Sequence, residues 1–294
     1  MGFMTALPID PLLPEIARTL RAHTRLILGA PPGAGKTTRV PLALAGLIDG
    51  FEPMPGKVIV LEPRRIAARM AAERMAATLG QGVGEQIGLS TRIERRVSDK
   101  TRVEVVTDGL FIRRLLSDPE LNGVKAVIFD EIHERRLNSD LGLALCLDAQ
   151  EALRSDLHIL AMSATLDTAG LAKRLNAPIL ESEGRQYPVE TRYLGRTSDR
   201  IEDQMARAIE RALRETKGSI LAFLPGAGEI RRVAERLHLP EDTRVSPLFG
   251  ALSPGEQDAA IAPAATGQRK VVLATDIAES ALTIQGVEVV VDSG

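Results

Sequence analysis

The sequence predicts an α/β fold of parallel, doubly wound sheets arranged as two tandem units. Three observations carry that prediction. Short aliphatic runs at 26–28, 57–62, 102–107, 124–129 and 157–162 alternate with amphipathic stretches, the pattern of strand–helix–strand units. A glycine-rich turn joins the first of these strands to a helix. After residues 187–189 the rhythm restarts, with further strands at 219–224, 244–249, 270–275 and 287–292.

Taken in order, residues 11–22 have helical periodicity after their prolines and are expected to pack on the first sheet. Strand 26–28 runs into the glycine-rich turn, and 36–47 reads as the next helix, with Pro41 confined to its first turns or kinking it. Residues 50–56 form a surface loop. Strand 57–62 leads through Pro63, Arg64 and Arg65 into an Ala/Met/Arg helix ending near Leu79. Strand 102–107 is followed by a helix opening at Asp108-Gly109. Strand 124–129 ends in Asp130 and Glu131, and strand 157–162 ends in Ser163-Ala-Thr165. In the second unit a helix at 201–215 precedes strand 219–224, a Pro-Gly-Ala-Gly turn and a helix at 229–237. Gly294 follows directly on the last strand with no closing helix, so the chain is read as ending inside its second domain. The division expected is residues 1–188 and 189–294.

The 294 residues suffice for two domains of about 150 residues each. A single cysteine, Cys146, excludes an internal disulfide and a cysteine-rich metal cluster, and its apolar neighbours mark a buried structural thiol. Net charge is −2, so composition does not announce a nucleic-acid binder, yet arginines cluster at 64–65, 92–96 and 113–114 as a local basic track. Tryptophan is absent and aromatics are 3 %, which points to backbone contacts rather than many stacked bases. There is no apolar run of membrane-spanning length and no secretory signal pattern, so the expected location is cytoplasmic, with no membrane partner.

The chemistry begins at Gly29, Ala30, Pro31, Pro32, Gly33, Ala34, Gly35, Lys36, Thr37 and Thr38. Strand, glycine-rich loop and helix in that order are the setting of a phosphate-binding loop. Its glycines let backbone N–H groups turn toward phosphate oxygens, helped by the positive end of the following helix. Lys36 is placed to reach the β- and γ-phosphates, and the Thr37 hydroxyl to complete a Mg²⁺ shell. Ala30 stands where the usual pattern has its first glycine.

The second stretch is 127–134, where an apolar strand delivers two adjacent acids to the mouth of the sheet. Asp130 is suited to hold Mg²⁺ through its water shell, and Glu131 to orient and deprotonate an attacking water, the parts that in-line phosphoryl transfer needs. His133 beside them does not make a zinc helix, because residues 134–145 supply no second histidine. It is expected to hydrogen-bond across toward the stretch Ser163-Ala-Thr165.

These stretches, with 61–70, 107–116, 162–167, 220–230 and 274–284, are similar in order and spacing to the DEAH-type superfamily 2 helicases, and most closely resemble their bacterial HrpB-like group. Ile132 stands where the family name has alanine. The resemblance implies two tandem RecA-like P-loop domains with mainly parallel sheets, the second incomplete here. It implies an ATP-dependent RNA helicase, using ATP or another NTP with Mg²⁺, and moving along single-stranded RNA or, alternatively, DNA. Lys36, Asp130, Glu131 and His133 fall on catalytic positions, with Thr37 and Asp130 toward Mg²⁺. Ser163 and Thr165 fall on the coupling positions, and Arg65, Arg92, Thr107, Thr275 and Thr283 on positions that touch the nucleic-acid backbone. Arg74 matches the arginine that stacks on adenine, with Ile261 in place of its usual aromatic partner, so adenine selectivity is expected to be weak. Asp276 and Glu279 lie close to the nucleotide, and Asp276 replaces an asparagine common there.

The family continues with an arginine-rich block, not present in this sequence, that reaches the γ-phosphate. Such arginines contribute on the order of 10³–10⁵ in rate. The chain as given is therefore expected to bind nucleotide but to hydrolyse and unwind poorly. The alternative function from this reading is a nucleotide-dependent nucleic-acid binding module without motor activity, and a monomer is the expected state.

Overall fold

In the computed structural model, which describes residues 6–165, 168–182, 188–195, 198–279 and 284–294, the chain is α/β throughout and divides into two units, Met1–Pro188 and Val189–Gly294. In the first, a 3₁₀ turn at Asp10–Leu12 precedes α1 (Leu13–His23), β1 (Arg25–Gly29), α2 (Lys36–Leu44) and β2 (Lys57–Glu62). Then come α3 (Arg65–Thr78), β3 (Ile87–Ser90), β4 (Arg95–Arg96), β5 (Val103–Thr107), α4 (Asp108–Ser117) and β6 (Val124–Phe129). The unit continues through α5 (Leu137–Ala152), β7 (His158–Ser163), α6 (Ala169–Leu175) and β8 (Ile179–Glu181).

Among the described residues the strand order is β4-β3-β5-β2-β6-β7-β1-β8, and only the short β4 runs antiparallel to its neighbour. Parallel sheets are covered on both faces, so their strands are apolar on both sides. Leu26, Leu28, Val58, Val60, Val103 and Val105 pack with residues of α1, α2 and α3 in one core. The alternate residues Ile27, Ile59, Leu61, Val106, Val127 and Phe129 form the other core with α4, α5 and α6. There Phe111 meets Phe129 edge-on, with ring centroids 6.0 Å apart. Cys146 lies in this second core, and burial pushes its thiol up to about 12, an inert group.

The helix expected over 36–47 stops at Leu44. Gly46 turns the chain with φ +65°, and any side chain there would run into the backbone of Pro53. The strands β3 and β8 and the long helix α5 lacked a clear sequence period. α5 has apolar residues around much of its circumference and exposes Leu137 and Leu141, so its buried stripe is poorly defined.

In the second unit, α7 (Ile201–Glu215), β9 (Ser219–Phe223), α8 (Ala227–Ala234), β10 (Thr243–Leu248), α9 (Pro254–Ile261), β11 (Arg269–Ala274) and β12 (Val287–Asp292) follow. Their strands pair in the order β10-β11-β9-β12, all parallel. α8 begins two residues and ends three residues before the expected 229–237, because Gly226 ends the turn and the helix begins at once. α9 starts on a reciprocal cap between Ser253 and Glu256. Its far end is closed by the buried Lys270, whose Nζ donates to Ala260 O at 2.7 Å and to Ala262 O.

Candidate nucleotide and nucleic-acid site

The C-terminal ends of parallel strands are where open α/β sheets place their ligands. In the first unit, β7 lies between β1 and β6, with Gly29 in register with Ser163 and Phe129 with Ala161. The glycine-rich loop, the Ser163 turn and the Asp130–Glu131 pair therefore leave one edge side by side. Ala30 donates its N–H to Ser163 O at 3.0 Å and is wholly buried. Its methyl fills the core where the usual pattern carries glycine. Gly33 and Gly35 take φ +77° and +94°, conformations that L side chains avoid, and Gly35 caps α2.

Lys36 and Glu131 form a buried ion pair at 3.0 Å, with side chains 5 % and 7 % exposed. Thr37 Oγ1 donates to Asp130 Oδ2 at 2.5 Å. Asp130 Oδ1 accepts the Glu131 N–H at 2.9 Å, which holds Glu131 in the left-handed region at φ +52°. That conformation is uncommon for a non-glycine residue, and Thr24, Leu121, Arg135 and Asn176 share it elsewhere in the chain. Burial raises the Glu131 carboxyl above the usual carboxylate range and Asp130 raises it further, against the opposing pull of Lys36 and His133.

His133 Nδ1 accepts the Ala164 N–H at 3.2 Å, the expected bridge, and stands 3.4 Å from Glu131 Oε2. Ser163 Oγ in turn accepts the Thr165 N–H at 3.1 Å and donates to Thr165 O at 2.9 Å, closing a tight turn. Loop, acids, histidine and Ser-Ala-Thr turn are thus one hydrogen-bonded assembly.

Sequence reasoning passed over Glu62, which ends β2 just as Asp130 follows β6. An acid closing an apolar strand was the available signal. Glu62 is fully buried, and that burial, the neighbouring Asp130 and Glu131 charges and a side-chain hydrogen bond with Asp130 raise its carboxyl well above the ordinary range. It also passed over Glu134, which lies 3.6 Å from Arg64 and 2.5 Å from Arg136. Nearby, Ser139 donates to the buried Asp108 at 2.5 Å.

The other half of the same edge carries Arg65, Arg92 and Thr107, three of the residues expected to touch a nucleic-acid backbone. β3, β5 and β2 are adjacent, with Ser90 in register with Val106 and Glu62 with Thr107. Arg65 follows β2 as the exposed first residue of α3, Arg92 follows β3 and is exposed, and half-buried Thr107 sits at the N-cap of α4. Arg74 is exposed on α3, nine residues on, about 13 Å along the helix axis from Arg65. In the second unit Thr275 is half-buried at the end of β11, while Asp276 and Glu279 are exposed beside a 290 Å³ cavity that they line with Asp292. Ile261, in place of the usual aromatic, is 8 % exposed. Thr283 lies outside the described residues.

A glycine-rich loop, a strand ending in two acids and an intervening strand ending in Ser-Ala-Thr, side by side along one edge of a parallel sheet, are the layout of a P-loop helicase domain. Residues 14–173 match the DEAD/DEAH box helicase family and residues 203–294 the helicase conserved C-terminal domain, and the chain belongs to the DEAD/DEAH box helicases. It is 48 % identical, over 98 % of its length, to the ATP-dependent RNA helicase HrpB of Escherichia coli, covering 36 % of that protein. To the E. coli ATP-dependent RNA helicase HrpA it is 35 % identical over 98 % of its length, covering 22 % of that protein. The crystal structure of the E. coli DEAH/RHA helicase HrpB superposes with a TM-score of 0.91 over 98 % of this chain and 37 % of that one. The chain thus spans about a third or less of the length of these relatives. Among the described residues, no helix is long and apolar enough to cross a membrane.

Proposed function

We infer that the chain is the nucleotide-driven core of an RNA helicase, hydrolysing ATP or another NTP and coupling that to movement along single-stranded RNA, with DNA as the alternative strand. Residues 1–188 are read as the first RecA-like domain and 189–294 as the second. The observation that carries this reading is the Lys36–Glu131 pair held beside Thr37 and Asp130. It gathers a phosphate-seeking cation, a candidate base and two oxygen ligands at the ends of β1 and β6.

The donor set fits Mg²⁺. Thr37 and Asp130 present hard oxygens to one point, and Glu62 adds a buried carboxyl beside Asp130 at the same acidic edge. Mg²⁺ is commonly held by one or two carboxylates with waters and substrate phosphates. When bound, the metal offsets charge on the β- and γ-phosphates. Lys36 exchanges Glu131 for phosphate as nucleotide enters. Released from that pair, Glu131 orients a water for in-line attack and accepts its proton. His133 and the Ser163–Thr165 turn tie that acid to β7, while Arg65, Arg92 and Thr107 hold the strand at the neighbouring half of the edge.

The test is phosphate release from ATP with and without single-stranded poly-RNA. Slow RNA-stimulated release, lost in Glu131→Gln, is expected; nucleotide-sensitive RNA binding without turnover would replace the motor by the binding module. His133→Ala removes the Ala164 acceptor but leaves the phosphate loop. It is expected to hold nucleotide affinity within about twofold while cutting RNA stimulation several-fold, on the order of the 0.5–2 kcal/mol that residues between coupled sites carry. Equal loss of basal and stimulated rates in His133→Ala would place the residue in the chemistry instead.

A further inference from the structure

Just ahead of α1, residues 7–10 lie outside every motif described above, yet they are fastened to the phosphate loop at three points. Ile9, wholly buried, donates its N–H to Ala34 O at 3.0 Å. Leu7 and Ile9 lie against the Cα of Gly35. A Cβ placed there would come within 2.6 Å of Leu7 Cδ1 and 3.4 Å of Ile9 Cγ2. Asp10 closes the turn by accepting the Leu7 N–H at 2.8 Å on Oδ2, and its Oδ1 stands 3.3 Å from Nε of the buried Arg39. Arg39 belongs to α2, the helix that the loop feeds.

A glycine-rich loop has wide backbone freedom. To bind phosphate its N–H groups must converge, and the entropy of that ordering is subtracted from affinity. Fixing the Ala34 carbonyl and covering one side of Gly35 removes part of this cost before the ligand arrives. Arg39 then ties the same segment to the first turn of the following helix, so loop and helix are held as one piece.

We propose that Leu7, Ile9 and Asp10 form a brace that preorganises the phosphate loop and so sets nucleotide affinity without touching nucleotide. They are positioning residues, and the inference rests on reading 30–38 as the phosphate cradle. The same brace gives Gly35 a second reason to be glycine, beyond its φ of +94°.

The experiment uses the full chain, a fluorescent ATP analogue with Mg²⁺, and amide hydrogen exchange across residues 33–36. Leu7 is partly exposed, so Leu7→Ala leaves the core intact. It is expected to raise the nucleotide Kd about five- to tenfold and to speed exchange at 33–36 in the free protein, with exchange returning to the parent level at saturating nucleotide. Leu7→Met, which keeps the cover, is expected to restore both. Asp10→Asn and Arg39→Gln are expected to raise Kd non-additively, as partners in one contact do. Unchanged Kd and unchanged exchange in Leu7→Ala, or in Asp10→Asn should Leu7→Ala fail to fold, would overturn the brace. Lys36→Ala, run alongside, separates the two readings. Parent-level binding in Lys36→Ala would remove the phosphate cradle itself, whereas lost binding there with an unaffected Leu7→Ala removes only the brace.

Discussion

Glu131→Gln is expected to lower phosphate release by on the order of 10²–10⁴, the range that a positioned general base supplies, while nucleotide binds at least as tightly as before. The two halves of that result come from one geometry. Glutamine keeps the shape of the side chain but accepts no proton, so the attacking water loses its base. It also withdraws the negative partner that holds Lys36 at 3.0 Å in the free protein. Lys36 then reaches phosphate without first breaking an ion pair. Phosphate release and equilibrium binding on the same preparation measure both halves, and a rate within about tenfold of the parent would take Glu131 out of the base role.

The pH profile follows from the same carboxyl. Burial and then Asp130 raise it above its ordinary value, and a base must be unprotonated to act. Turnover should therefore fall as pH drops through that raised value, giving an acid limb at higher pH than the usual glutamate near 4.3. In Glu131→Gln that limb should vanish from the residual rate.

Lys36→Ala has the other large expected effect, and it divides between affinity and stability. Loss of a charge-assisted hydrogen bond to phosphate, about 1.5–3 kcal/mol, raises the nucleotide Kd about 10- to 100-fold. Removing the cation also strands Glu131, whose side chain is 7 % exposed. Breaking one side of a buried pair costs about 3–5 kcal/mol. A carboxyl already raised by burial can take up a proton, so the lower end of that range is expected near neutral pH. The double variant Lys36→Ala, Glu131→Gln discriminates the two contributions. Thermal unfolding should return toward the parent because no charge is stranded, whereas affinity should stay low because nothing has replaced the ammonium group. Recovery of affinity in the double variant would show that Lys36 acts only by neutralising Glu131.

Much of this was legible in the residues. The aliphatic strands announced parallel sheets because a strand covered on both faces must be apolar on both. The loop at 30–38 and the acids at 130–131 were legible because their chemistry requires particular side chains at particular distances along the chain. β3 and β8 are too short to set up a period, and α5 is apolar around too much of its circumference to show a stripe. Glu62 was overlooked because a single acid at a strand end has no meaning until its neighbours are known.

By itself the sequence determined the α/β class, the restart near residue 188, and the presence of a glycine-rich strand-to-helix loop and an acid pair at a strand end. These depend on local periodicity and on residue type, which a linear reading contains. Only the tertiary structure decided that β7 separates β1 from β6, so that Ser163 meets the loop and Ala164 meets His133. It alone turned Lys36 onto Glu131, buried Glu62 among acids, and laid residues 7–10 against Gly35. The contacts from β7 and the acid loop back to the P-loop join residues about a hundred positions apart, and Leu7 reaches Gly35 across the whole of α1. Parallel strand order and crossover path set those distances, and neither is written in the spacing of the residues concerned.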